Sequence, residues 1–102
     1  MGNVVFERAY LVARARRLMT NGRFRQGYKL IKDMQELDFI AALQMLADDE
    51  NTFKKVFKIR ERYSTTETEP IVRVVERAAK AGDGDAISLL GRGILEKPLG
   101  DS

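Results

Sequence analysis

Hydrophobic side chains recur every three or four residues along most of the chain, and polar side chains fill the positions between them. This spacing is typical of α-helices, which repeat every 3.6 residues, whereas no segment has the two-residue alternation of a half-buried strand. The segments with helical spacing are residues 3–19, 23–36, 38–48, 52–63, 70–82 and 85–97. We therefore predict an all-α fold, a compact bundle of five or six short helices that ends in a helical hairpin.

The first predicted helix carries two apolar stripes rather than one. Val5 and Val12 lie on one side of it, and Leu11 and Leu18 lie on another. A helix with two apolar stripes packs against neighbours on two sides, so we expect this helix to be central, with its arginines emerging between the contacts.

Glycines and short polar side chains mark the predicted helix ends. Asn21-Gly22 supplies a left-handed turn that ends the first helix, and Gly82 ends the fifth. Pro70 suits a first helical turn, where its missing N–H costs nothing, and Pro98 blocks continuation of the last helix. Side-chain oxygens accept hydrogen bonds from the free N–H groups at helix starts. The predicted N-caps are Asp38, Thr52 and Asp85.

The length of the chain, 102 residues, suits one domain and leaves no room for a second hydrophobic core. The polar stretch at residues 64–69 predicts a linker. We expect a single helical domain over residues 1–102. In this interpretation residues 1–63 form basic N-terminal helices and residues 70–97 form the C-terminal hairpin.

The amino-acid composition excludes several kinds of catalytic and metal-binding site. The chain contains no Cys and no His, which excludes disulfides, thiolate catalysis, imidazole acid–base catalysis and zinc sites built from these residues. The adjacent acids Asp48, Asp49 and Glu50 point in three directions, so a helix end explains them better than a metal site does. We predict that the protein is not an enzyme and that it has no catalytic residues, no metal and no cofactor.

The hydrophobic runs are too short for a membrane. None approaches the roughly 18 to 20 residues that a transmembrane helix needs, and the first residues do not resemble a signal peptide. We therefore expect a cytoplasmic protein without a membrane partner.

The net charge of +3 conceals a strong segregation. Residues 1–32 hold eight Lys and Arg residues against one acid, Glu7, and residues 33–51 hold six acids and no base. Residues 52–63 are basic again. Two interpretations follow, because the blocks either pair with each other or place the basic residues on one face that attracts a polyanion. The abundance of arginine favours the second, since its planar fork fits phosphate and carboxylate groups.

The basic blocks hold the candidate binding residues. Cations that follow a phosphate backbone need no unique motif, and their affinity comes largely from counterion release. The predicted nucleic-acid-binding residues are Arg14, Arg17, Arg23, Arg25, Lys29, Lys32, Lys54, Lys55, Lys58 and Arg62. Phe24 and Tyr28 have rings that stack on bases, but their helical spacing with Ile31 favours a place in the core.

One stretch of the chain resembles a known class of proteins. Residues 57–63 read Phe-Lys-Ile-Arg-Glu-Arg-Tyr, and a polar linker and a helical hairpin follow them. Over residues 53–97 this arrangement is similar to the C-terminal helical part of some large subunits of CRISPR effector complexes, the complexes of an antiviral defence system. The whole chain, with its size, basic charge and helical character, looks like their small subunits. The resemblance implies a non-catalytic subunit, present in several copies, that contacts a guide–target duplex or a displaced strand.

Two functions are thus predicted. The first is a helical subunit of a nucleoprotein complex that holds RNA or DNA backbone without sequence preference and packs against other subunits, including copies of itself. The second is a protein–protein adaptor or regulatory module, of phage or bacterial origin, whose arginines hold an acidic protein partner.

Overall fold

The computed structural model describes residues 4–62 and 69–95, with backbone only for residues 4–6. The elements are α1 (Val4–Thr20), α2 (Phe24–Lys29), α3 (Glu36–Leu46), α4 (Glu50–Arg62), α5 (Ile71–Lys80) and α6 (Gly84–Arg92). The described residues contain no strand. The predicted all-α bundle is confirmed, and α5 and α6 form its closing hairpin.

The core is built around α3. Its residues Ile40, Ala42, Leu43 and Leu46 are 0 % exposed, and α1, α4, α5 and α6 all pack against it. A helix that is apolar on most of its circumference is stable in water only when neighbours cover it on several sides. The helix α1 packs against α2, α3 and α4. The central position expected for α1 is taken by α3, because the buried residues of α1, Val12, Ala15 and Met19, share one face, and Leu11 and Leu18 of the second predicted stripe are only half-buried.

Two helices end as predicted, at glycines in the left-handed conformation. Gly22 follows α1 with φ of 84°, and Gly82 follows α5 with φ of 96°. At the second site, the N–H of Asp83 donates to the carbonyl oxygen of Ala78 at 3.0 Å, and the N–H of Gly82 donates to that of Ala79. This Schellman pattern satisfies the last carbonyl groups of the helix and turns the chain from α5 into α6.

The predicted second helix over residues 23–36 is too long. The helix α2 ends at Lys29, and tight turns occupy the following residues. In these turns the N–H of Leu30 donates to the carbonyl oxygen of Gly27, and that of Met34 donates to Ile31. The apolar periodicity continues through the turns because they bring Ile31, 0 % exposed, into the core, so spacing alone does not reveal the helix end.

The predicted N-cap Thr52 is wrong, because α4 begins earlier, at Glu50. The carboxylate of Asp49 accepts from the backbone N–H of Thr52 at 3.2 Å and from its hydroxyl at 2.9 Å. These bonds lower the pKa of Asp49, since they favour the ionised carboxylate, and the positive charge of Arg16 adds to the effect.

The predicted N-cap Asp38 is also wrong. Gln35 occupies the position before α3, and Asp38 lies inside the first turn of the helix. Its carboxylate instead accepts from Arg8 of α1 at 2.9 Å, in a half-buried ion pair that ties the two helices together.

The last hairpin differs from the prediction in two further respects. The N-cap of α6 is Asp83, whose carboxylate accepts from the N–H of Ala86 at 3.0 Å, and Asp85 follows it in the first turn. The predicted end at Lys97 is too late, because Gly93 adopts a left-handed conformation with φ of 70° and ends the helix at Arg92.

The predicted start of α5 is off by one residue. Pro70 occupies the position before the helix rather than its first turn, and the N–H of Ile71 donates to the carboxylate of Glu61 on α4 at 2.8 Å. Of the predicted linker, only Glu69 lies within the described residues, and Pro98 lies outside them. No helix among the described residues is both long and apolar enough to cross a membrane.

The two aspartates at the start of α6 provide a test of the cap. We expect Asp83→Ala to lower the free energy of unfolding by about 1 kcal/mol, because it leaves the N–H of Ala86 without its partner. We expect Asp85→Ala to cost only ~0.3 kcal/mol, the effect of losing an acid from a first helical turn. Urea denaturation followed by circular dichroism measures both, and equal losses would contradict the assignment of the cap.

Substitutions at Gly27 and Gly91 provide a second test, which concerns the packing of α2 on α1. A Cβ at Gly27 would lie 2.7 Å from the carbonyl oxygen of Ala15 and 2.8 Å from Cγ of Met19, whereas one at Gly91 would meet nothing within 4 Å. We expect Gly27→Ala to destabilise the protein by roughly 1 to 3 kcal/mol through overpacking. Gly91→Ala is expected to stabilise it by about 0.5 to 1 kcal/mol, because alanine is the better helix former. Urea midpoints that moved in the same direction for both variants would contradict this packing of α2 on α1.

Candidate nucleic-acid interface

Every residue of the predicted basic set is exposed. Five of these residues come from α1, α2 and the turn between them: Arg14, Arg17, Arg23, Arg25 and Lys29. Lys32 follows α2, and the remainder, Lys54, Lys55, Lys58 and Arg62, lie on α4. Seven members of the set line two grooves on the surface.

The first groove, which we call the α1 groove, has a volume of about 750 Å³. Its lining residues are Tyr10, Ala13, Arg14, Arg17, Leu18, Asn21 and Arg23. Tyr10, Arg14 and Arg17 stand at i, i+4 and i+7, so they share one face of the helix. The turn at Gly22 brings Arg23 to the end of that face. No acid among the described residues lines this groove, and its three guanidinium groups give it a positive potential.

The second groove, the α2–α4 groove, has a volume of about 710 Å³ and brings the two basic blocks of the sequence together. Its cations are Arg25, Lys29, Lys32, Arg60 and Arg62. Its apolar and aromatic lining consists of Tyr28, Met34, Phe39, Ile59 and Ile71. Two acids, Asp33 and Glu36, also line it, so its charge is less uniform than that of the α1 groove.

The linings of the two grooves come close to each other at the start of α2. Arg23 lines the α1 groove and Arg25 lines the α2–α4 groove, so along the backbone their Cα atoms are at most about 7 Å apart. The helix α4 approaches the same point, since Nζ of Lys55 lies 5.8 Å from the ring centroid of Phe24. Cations from α1, α2 and α4 thus form neighbouring parts of one surface, which we call the basic surface.

Most of these cations have no carboxylate partner. Within the described residues, no salt bridge is formed by Arg14, Arg17, Arg23, Arg25, Lys29, Lys58 or Arg62. Lys32 pairs with Asp33 at 3.2 Å, and Lys54 pairs with Glu50 at 3.0 Å. Both pairs are solvent-exposed, and exposed pairs of this kind contribute little and exchange readily with other anions.

Other cations form ion pairs and hydrogen bonds that connect parts of the fold. Arg8 is held by Asp38, and its buried Nε has no hydrogen-bond partner among the described residues. Arg92 of α6 donates to Gln44 at 3.1 Å and to Asp48 at 3.3 Å, and so fastens the end of the hairpin to α3.

Arg77 of α5 also serves the fold. It donates to Glu69 and lies 3.9 Å from Glu36. The hydrogen bond to Glu69 raises the pKa of Arg77, and the negative charges of both carboxylates add to the effect. None of the three cations that serve the fold belongs to the predicted binding set.

The three adjacent acids at the start of α4 make three different kinds of contact. Asp48 pairs with Arg92, Asp49 caps α4 and Glu50 pairs with Lys54. No group of three or more acids that could hold a metal ion occurs in the described part of the chain. A helix end therefore accounts for these acids.

Aromatic residues show where the interpretation of the sequence was correct and where it was incomplete. Phe24 and Tyr28 pack against the core, as their spacing predicts. Tyr10 was not predicted to belong to the site, although it is 61 % exposed and lies in the α1 groove. Its position four and seven residues before two arginines was the signal that could have revealed it. Arg60 was also overlooked; its guanidinium lies 5.9 Å from the ring centroid of Phe39 in the α2–α4 groove.

Comparison of the chain with protein-family models, with curated proteins and with solved structures finds no match. Its function must therefore be inferred from the geometry and charge of the basic surface.

Proposed function

We propose that the protein is a non-catalytic helical subunit of a cytoplasmic nucleoprotein complex, in which it holds the backbone of RNA or DNA. The basic surface binds the phosphates, and other faces pack against neighbouring subunits, including copies of the same chain. The resemblance to small subunits of CRISPR effector complexes implies the same role.

The observation that carries this proposal is a set of exposed cations in two neighbouring grooves that form no salt bridge with any described residue. Arg14, Arg17 and Arg23 lie in a groove without acids, and Arg25 and Lys29 continue the positive charge into the next. A protein gains little stability from concentrating unpaired cations, since like charges repel. A polyanion removes this repulsion and releases its condensed counterions when it binds, and this release supplies affinity without sequence preference.

Assembly into a larger complex is supported by apolar side chains that the bundle leaves in solvent. Leu37 of α3 is 57 % exposed, and Ile87 and Leu90 of α6 are 52 % and 37 % exposed. These residues are outside the linings of both grooves, so a neighbouring subunit can cover them while the basic surface stays open to nucleic acid.

A second function, the adaptor for an acidic protein partner, is favoured by the composition of the α2–α4 groove. Met34, Ile59 and Ile71 give this groove an apolar lining, and Lys29 and Arg62 supply positive charge beside it. An acidic peptide with hydrophobic side chains matches that combination, because the lining takes the apolar groups and the cations take the carboxylates. In the α1 groove the apolar side chains are only Ala13 and Leu18, and three arginines line it without a described acid, which is why we place nucleic acid first.

The proposal predicts how binding responds to salt and to removal of arginines. We expect fluorescence anisotropy to detect labelled oligonucleotides binding at about 50 mM salt, with affinity lower by orders of magnitude at about 200 mM. The variant with Arg14, Arg17, Arg23 and Arg25 replaced by Ala should bind far more weakly. The slope of log affinity against log salt should become shallower by about 0.9 for each duplex phosphate that the variant no longer neutralises.

A charge-matched control separates local binding from overall charge. The variant Arg14→Ala is compared with Lys80→Ala, which removes one exposed cation from α5, outside both grooves. We expect the first to lose much more affinity than the second. Equal losses would contradict a defined interface. No binding by the wild type at low salt, together with arginine-dependent capture of an acidic protein, would favour the adaptor.

A further inference from the structure

Tyr10 is exposed to solvent, whereas the other described aromatic side chains are buried or packed against the core. It is 61 % exposed, whereas Phe39, Phe53 and Phe57 are buried and Phe24 and Tyr28 pack against the core. A large ring in solvent contributes little to stability, since the benefit of an aromatic side chain comes from removing its surface from water. The position of Tyr10 in the α1 groove therefore calls for an explanation beyond the fold.

The ring of Tyr10 differs from two other rings in having no described cation stacked on it. Phe24 lies beneath the ammonium group of Lys55, and Phe39 lies near the guanidinium of Arg60. Aromatic faces bind cations and other π systems. An exposed ring beside unpaired guanidinium groups is suited to a flat ligand that also carries negative charge.

Helix geometry places this ring in line with the arginines. Tyr10, Arg14 and Arg17 lie on the face of α1 opposite Val12 and Ala15, which are buried in the core. From Tyr10 to Arg17 the helix rises about 10 Å, at 1.5 Å per residue. That distance corresponds to about three nucleotides of a stacked strand at roughly 3.4 Å each.

We propose that the α1 groove binds single-stranded nucleic acid, with an unpaired base stacked on Tyr10 and the adjacent phosphates held by Arg14, Arg17 and Arg23. This inference rests on the proposed function and specifies the form of nucleic acid that the groove takes. A duplex offers its phosphates but keeps its base faces stacked inside, so only a single strand uses both the ring and the arginines. An acidic peptide without aromatic side chains would engage the arginines and leave the face of the ring without a stacking partner.

The test compares Tyr10→Ala and Tyr10→Phe on two probes, a labelled oligothymidine of about 20 nucleotides and a labelled duplex of about 20 base pairs. Stacking of a base on an aromatic side chain accounts for about 5- to 150-fold in affinity. We expect Tyr10→Ala to weaken binding of the single strand within that range and to leave duplex binding unchanged. Tyr10→Phe should retain the affinity of the wild type, because the ring is preserved.

Two further readouts separate stacking from a structural effect. The salt slope for the single strand should stay the same in Tyr10→Ala, since the ring neutralises no phosphate, whereas Arg14→Ala/Arg17→Ala should reduce it. Oligothymidine should quench tyrosine emission in the wild type, and Tyr10→Phe should show less quenching although it still binds, because the contribution of Tyr10 is removed. Met45→Ala, which truncates another exposed large side chain outside both grooves, is the matched control and should bind as the wild type does.

The outcomes distinguish this inference from the proposed function. If Tyr10→Ala binds the single strand as tightly as the wild type while the arginine variants bind weakly, the stacking site is wrong and the backbone-holding role stands. Equal losses on both probes would also overturn the stacking site, because a duplex offers no free base. If the wild type binds neither probe at low salt, the proposed function and the inference fall together.

Discussion

The burial of α3 is the constraint on which the rest of the structure depends. Ile40, Leu43 and Leu46 are 0 % exposed on a helix of only 11 residues, so water must be excluded from almost its whole circumference. Four helices pack around it to achieve this, and each must turn its apolar side inward. This packing also fixes the direction of the basic residues on α1. Because α1 covers α3 with Val12 and Ala15, its exposed side carries Arg14 and Arg17.

The same geometry sorts the cations of α1 into two kinds. Arg8 lies on the inward side of the helix and meets Asp38 of α3, and Arg16 lies close enough to Asp49 to lower the pKa of its carboxyl. Arg14 and Arg17 form no salt bridge with a described acid and keep their charge available. The angle of each arginine around the helix axis thus decides whether it interacts with an acid of the fold or stays exposed on the surface.

Helical spacing was enough to predict which segments are helices and which cations are exposed, since both follow from the burial of apolar side chains at regular intervals. It was not enough to choose between Asp83 and Asp85 as a cap. The two side chains have similar chemistry, and the choice depends on the turn at Gly82, which places Asp83 directly before the first helical residue. The end of α2 was missed for a similar reason, because Ile31 keeps its place in the core through a turn. Tyr10 was missed because its exposure becomes clear only when the buried side of α1 is known.

The acidic segment of the sequence raised the alternative that the charged blocks simply neutralise each other. The described ion pairs bear this out in part, since Asp33, Asp38 and Glu50 each pair with a cation of a basic block. Asp38 pairs with Arg8, Asp48 pairs with Arg92 and Glu36 lies near Arg77, so these acids meet cations outside the predicted binding set. Among the described ion pairs, the acids of residues 33–51 reach that set only through the exposed pairs Lys32–Asp33 and Lys54–Glu50. Among the described residues the arginines of the α1 groove form no ion pair with an acid, and in the proposed function the phosphates of a nucleic acid balance their charge.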